Sequence, residues 1–143
     1  MNKFIATIFL ATVTRVFCST YDDRVIAAVI VAEAAGESKV GMICVAEVIR
    51  QRAIEYGIRP VQAVLKRHHF SSLNRTTPDR LIHKHERTPE FQYALCVVGW
   101  LNSNRLPGYT KMANHFTRKT ERPYWARHKR PVAVIGNHAF YRL

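Results

Sequence analysis

Acidic residues are scarce in this chain. Ten Asp and Glu stand against 22 Lys and Arg in 143 residues, a formal net charge of +12. That balance excludes the acidic, aromatic-poor make-up of a solvating disordered chain. It also leaves few carboxylates for chemistry: Asp22, Asp23, Glu33, Glu37, Glu47, Glu55, Asp79, Glu86, Glu90 and Glu121. Cysteines number three, Cys18, Cys44 and Cys96, with no C-x-x-C pair, so no thiolate zinc framework is written here. H-E-x-x-H and G-x-S-x-G are both absent, which removes two common hydrolase signatures. There is no internal repeat and no low-complexity tract. The N-terminal apolar run, Phe4 to Val13, is far shorter than the roughly 20 residues of a spanning helix.

A short apolar run behind Lys3 does fit an export signal over residues 1–18, with cleavage around Cys18 to Thr20. A buried N-terminal helix or an uncleaved anchor is the alternative. Phe17 before Cys18 argues against a lipoprotein site. Residues 19–143 then form one domain, long enough to bury a core at 48% hydrophobic composition. Without residues 1–18, which hold Lys3 and Arg15 and no acid, 20 basic and 10 acidic residues leave +10. Such a cation concentrates at polyanions, among them anionic wall polymers, anionic lipid and nucleic acid. No nucleic-acid motif matches, and an export signal points away from that partner. Cys44 and Cys96 lie in apolar helical patterns and read as two buried hydrophobes, or as a disulfide in an oxidising compartment.

Along the chain, Tyr21-Asp22-Asp23 opens a helix that runs to about Ala35, with Asp as the capping residue and Gly36 as the stop. A second helix covers roughly 39–56, capped by Glu37-Ser38 and ended by Gly57. Pro60 starts a short third. Residues 67–80 read as loop, 79–86 as a single helical turn, and Thr88-Pro89-Glu90 as the start of another helix with Phe91, Ala94, Leu95, Val98 and Leu101 as its stripe. Near the end, Ala113–Phe116 and Val132–Ile135 with the segment after Gly136 predict a small antiparallel pair. The expected class is α+β, mainly helical, with a minor β element near the C-terminus.

Glu33 closes the apolar run Val25–Val31 and shares a helix face with Val29 and Ile30. A carboxylate buried there would be costly to ionise and so suited to general acid work. Glu37 and Glu47 are its candidate partners, since glycosidic cleavage usually takes two carboxylates. A structurally paired Glu is the alternative. Seven histidines are present, of which His115 and His138 suit pocket walls on neighbouring strands, or, with His83 and His85, part of a metal site. Basic residues around Phe116, Tyr124 and Trp125 suit single-stranded nucleic acid or sugar rings.

These blocks, taken together, resemble a known family. Ala32–Glu37, Gly41–Arg52, Phe70-Ser71, Pro123–Trp125 and Ile135–Arg142 are similar to the SleB/CwlJ-type cell wall hydrolase domain, over about residues 24–142. Two positions depart from its pattern. Gln51 stands where Asn is usual before the Arg, and Ala113-Asn114-His115-Phe116-Thr117 replaces Ala-Thr-His-Tyr-His. The resemblance implies a lysozyme-like, lytic-transglycosylase-like domain that cuts peptidoglycan between N-acetylmuramic acid and N-acetylglucosamine. It implies Glu33 as the single acid/base, with Glu37, Phe70, Ser71, His115, Trp125, Asn137, His138 and Tyr141 about the substrate. No cofactor or metal would be needed, and the expected protein is an exported monomer whose partners are peptidoglycan and anionic wall polymers. A silent cationic wall-binding protein and a metal-dependent wall amidase are the competing readings.

Overall fold

A computed structural model describes residues 18–143. The segment expected to be an export signal, up to residue 17, lies outside the described residues. Five helices come first: α1 (Tyr21–Glu33), α2 (Lys39–Tyr56), α3 (Pro60–Leu65), α4 (Pro78–His85) and α5 (Pro89–Asn102). Three strands follow: β1 (His115–Arg118), β2 (Ala133–Ile135) and β3 (His138–Tyr141). None of the described helices is long and apolar enough to cross a membrane.

Helix α1 is the hub. Its residues Val25 to Val31 are all buried, and it packs against each of the other four helices. A helix that is apolar all round needs neighbours all round, and the sequence supplies them. Its N-cap is Thr20, not the Asp that the sequence suggested. The Thr20 side chain accepts from Asp23 N–H while Asp23 caps Thr20 in return. Gly36, at φ +80°, lets the chain turn out of α1. Ser38 holds the N-cap position of α2 without a side-chain bond.

The stretch from 67 to 80 is more ordered than its composition predicts. A 3-10 turn occupies Ser71–Leu73, and α4 is two turns long, capped by Thr77. Burial of Leu81 and Ile82 against α1 stabilises a helix too short to stand alone. The β element is also larger than a pair. Three antiparallel strands run in the order β1-β3-β2, with Phe116 opposite Phe140 and Ala133 opposite the same residue. A second cluster of Cys44, Val48, Ala113 and Phe140 fastens this sheet to α2. Cys96 is a further correction: it is exposed on the outer side of α5, while Cys44 alone is buried. Both are free thiols, so the disulfide reading does not hold either.

Candidate active site

A cavity of about 790 Å³ lies where the helices meet the sheet. Glu33, at the last turn of α1, reaches it from the helical side. It is half-buried there, at the rim of the core and not within it. The apolar stripe ends one residue short: Val31 is the last buried position of α1, and Ala32 already lines the cavity. The Glu33 carboxylate is held from the 3-10 turn. Ser72 N–H donates to Oε1 at 2.8 Å, and Ser71 Oγ stands 3.3 and 3.4 Å from the two oxygens.

Of the other residues expected around a groove, Ser71, His115, Trp125 and His138 line this cavity with Glu33. Glu37, Phe70, Asn137 and Tyr141 do not. Phe70 is buried, with the Arg52 guanidinium 4.8 Å above its ring and Phe116 tilted against it. Tyr141 is buried edge-on to Trp125. Asn137 is exposed, and its backbone N–H donates to Glu37 at 3.1 and 3.2 Å. Glu37 is a frame residue. Its side chain is almost fully buried, 3.5 Å from His138 Nδ1. Gly41 and Gly136 flank it so closely that a Cβ on either would collide with it. Thus Glu37 ties the β2–β3 turn to the start of α2 and sets the place of His138.

Glu47, the other candidate partner, is 1% exposed and far from solvent. Its carboxylate accepts from the backbone N–H of Gly108, Tyr109 and Thr110 and from Thr110 Oγ1. It anchors the connection from α5 to β1. That connection includes two consecutive left-handed residues, Lys111 and Met112, and delivers Asn114 and His115 to the cavity.

Several groups at the site were not singled out from sequence: Arg52, Glu55, His69, Asn114 and Glu121. Arg52 is buried on α2, where its Nε donates to Asn114 O and its Nη1 to His69 O, both at 2.6 Å. Burial lowers its pKa against the pull of Tyr56, Glu33 and Glu55. A charge this deep needs acceptors from elsewhere in the chain, and an Arg four residues after Val48 on the apolar face was the available signal. Burial, then Arg52 and Lys66, lower the pKa of His69, with a backbone bond to Ala63 opposing. Burial and Arg52 also lower that of His115; Glu55 opposes them and His69 adds to the lowering. Two further carboxylates face the cavity, Glu55, bonded to Gln51 and Asn114, and Glu121, bonded to Thr117 Oγ1. No three His, Cys, Asp or Glu side chains converge in ligand geometry among the described residues.

This arrangement sets three carboxylates, Glu33, Glu55 and Glu121, on one cavity with imidazoles, an indole and the guanidinium groups of Arg52 and Arg118. A carboxylate at such a wall, with one oxygen held by Ser72 N–H, can exchange a proton with a bound polar polymer. Comparison with known proteins gives a match from residue 36 to residue 141 to the family model described as Cell Wall Hydrolase. The matched stretch begins just after Glu33. No curated protein matches. Two solved structures share the fold. One is the catalytic domain of the Bacillus cereus SleB protein, 21% identical, with a TM-score of 0.67 over 87% of this chain and 91% of that one. The other is the catalytic domain of the germination-specific lytic transglycosylase SleB from Bacillus anthracis, 22% identical, with a TM-score of 0.67 over 87% and 96%. The likeness is one of fold, and it gives the mainly helical architecture with a small C-terminal sheet that the sequence predicted and the lysozyme-like arrangement that the family resemblance implied.

Proposed function

The chain belongs to the cell wall hydrolase family, and from that premise we propose that it cuts the glycan strands of peptidoglycan as a lytic transglycosylase. The bond is that between N-acetylmuramic acid and N-acetylglucosamine. Glu33 is the acid and then the base. Its proton passes to the bridging oxygen as the bond to muramic C1 breaks, leaving a hydroxyl on the departing sugar. Its carboxylate then takes the proton of the muramic C6 hydroxyl while O6 attacks C1, which closes a 1,6-anhydro ring. The observation that carries this reading is the Glu33 carboxylate at the cavity, oriented by the Ser72 N–H and Ser71 Oγ. Ser71, His115, Trp125 and His138 contact the strand, with the Trp125 face suited to a sugar ring. The structural match to a protein described as a lytic transglycosylase supports the same product.

Hydrolysis is the second reading, favoured by Glu55 and Glu121 on the same cavity. Either could activate a water in place of the C6 hydroxyl. In both readings the substrate lies outside the cytoplasm, in keeping with residues 1–18 as an export signal and 19–143 as the mature catalytic domain. The basic surface would add attraction to anionic wall polymers.

Digestion of purified peptidoglycan followed by mass spectrometry tests the proposal. Anhydro-muramic ends, one water lighter than reducing ends, are expected. Reducing ends would replace transglycosylation by hydrolysis, free stem peptides would mean an amidase, and no release by folded protein would leave a wall-binding role. Glu33→Gln removes the proton and little volume, so release should fall at least about 1,000-fold with the circular dichroism spectrum unchanged. Release at the wild-type rate would refute the assignment.

A further inference from the structure

The Asn114 side chain has every polar atom engaged. Its Nδ2 donates to Glu55 at 2.9 and 3.2 Å and to the Leu143 carbonyl at 2.9 Å. Its Oδ1 accepts from Leu143 N–H at 3.0 Å. These partners fix which end of the amide is oxygen, because carboxylate and carbonyl only accept and a backbone N–H only donates. Oδ1 also lies 2.9 Å from His115 Nδ1. Two acceptors cannot bond without a hydrogen between them, so Nδ1 carries the proton. With burial and Arg52 lowering the His115 pKa, the ring is neutral at pH 7. A neutral ring protonated at Nδ1 has its lone pair on Nε2. Nε2 has no hydrogen-bond partner among the described residues and is not sealed from solvent. The ring packs on Trp125, 5.2 Å between centroids, and lines the cavity that holds Glu33.

We infer that His115 offers Nε2 to the substrate as a hydrogen-bond acceptor, and that Glu55 is a positioning residue that, together with Leu143, sets this tautomer through Asn114. The inference rests on the glycan-cleaving reading and deepens it. The fitting donors on such a strand are a sugar hydroxyl or the N–H of an N-acetyl group. Charging His115 would convert the acceptor to a donor beside the Arg52 guanidinium. The titratable and charged groups facing the ring are Arg52 and Glu55 from α2 and His69 from the loop after α3. Arg118, Glu121 and His138 share the cavity.

Imidazole nitrogen NMR on the full chain tests this without turnover. In the wild type at neutral pH, His115 should show a protonated Nδ1 and a bare Nε2. A proton on Nε2 would overturn the inference. Glu55→Ala removes one of the two acceptors of Asn114 Nδ2 while Leu143 still holds both ends of the amide, so the tautomer should shift part of the way toward a protonated Nε2, with release from peptidoglycan falling about threefold. Glu55→Gln keeps an acceptor oxygen for Nδ2 and should restore most of both. An unchanged tautomer in Glu55→Ala would remove Glu55 from the role. Soluble oligosaccharide of alternating N-acetylglucosamine and N-acetylmuramic acid, added until the Trp125 indole signal saturates, should shift the Nε2 resonance. A saturated Trp125 with Nε2 unmoved would refute the substrate contact. A wild type with the expected tautomer but no lytic activity would count against the proposed function alone.

Discussion

An L-residue at position 136 would meet two objections. The backbone there has φ +57°, and a Cβ would be driven into the Glu37 carboxylate, which is already fixed by Asn137 N–H. Gly136→Ala should therefore cost about 3 kcal/mol, from left-handed strain and a displaced buried acid. Urea unfolding would measure it, and a change under about 0.5 kcal/mol would show that Glu37 moves freely. Sequence singled out Glu33 because an acid ending an apolar run stands out, and that residue lines the cavity. It misread Glu37, since nothing local shows that the residue bonds 100 positions downstream. Asn114 and Glu55 were equally hidden, as their meaning lies in an amide whose four contacts come from three separate segments. Phe70 was placed among substrate contacts on its motif, yet a Phe beneath a buried Arg is a floor and not a surface.

Among elements, the connection from α5 to β1 depends on one side chain. Glu47 accepts four hydrogen bonds from Gly108–Thr110 in the core. Removing it leaves three backbone N–H groups without partners, so Glu47→Ala should destabilise the fold by about 4 kcal/mol. Glu47→Gln, which keeps one acceptor and adds an NH₂ facing an N–H, should fall between. Hydrogen exchange at 108–110 should rise in step with the loss; protection equal to wild type would contradict the anchoring role. The long helices were legible because 3.6-residue spacing and Gly or Pro punctuation agree in them. The length of helix α4, read as a single turn over 79–86, and the joining of three strands where a pair was expected were not. The second turn of α4 owes its existence to burial against α1, and the three-strand order to both β1 and β2 pairing with β3, neither of which a local window contains.

Across the whole molecule, three histidines are held below the ordinary value chiefly by burial: His69, His85 and His115. Their unfolded forms bind protons near pH 6.5, and their folded forms only at lower pH. Between those limits the unfolded chain carries more protons, so stability rises with pH there and falls on acidification. The urea midpoint should drop from pH 7 to pH 5, and a flat or rising midpoint over that range would contradict it. Buried Nδ1 of His69 and Nε2 of His85 have no partner to receive a charge, which gives the effect its local cause. The thiols divide in the same global way. Burial, with Glu47 and Glu37 nearby, pushes Cys44 up to about 12, so alkylation of the native 19–143 domain should stop at Cys96. Early modification of Cys44 would mean that α2 and the sheet separate readily.

That seam between α2 and the sheet also works as a gauge. Glu33 and Glu37 stand on either side of one short turn, the first lining the cavity and the second propping the β2–β3 turn that leads into His138. The seat of the β2–β3 turn over the start of α2 is therefore set by the length of a single Glu side chain, packed between two glycines. Glu37→Asp shortens that strut by one carbon, about 1.5 Å. The groove should then narrow or come loose from its frame, and glycans with bulkier substituents should be the first to be refused.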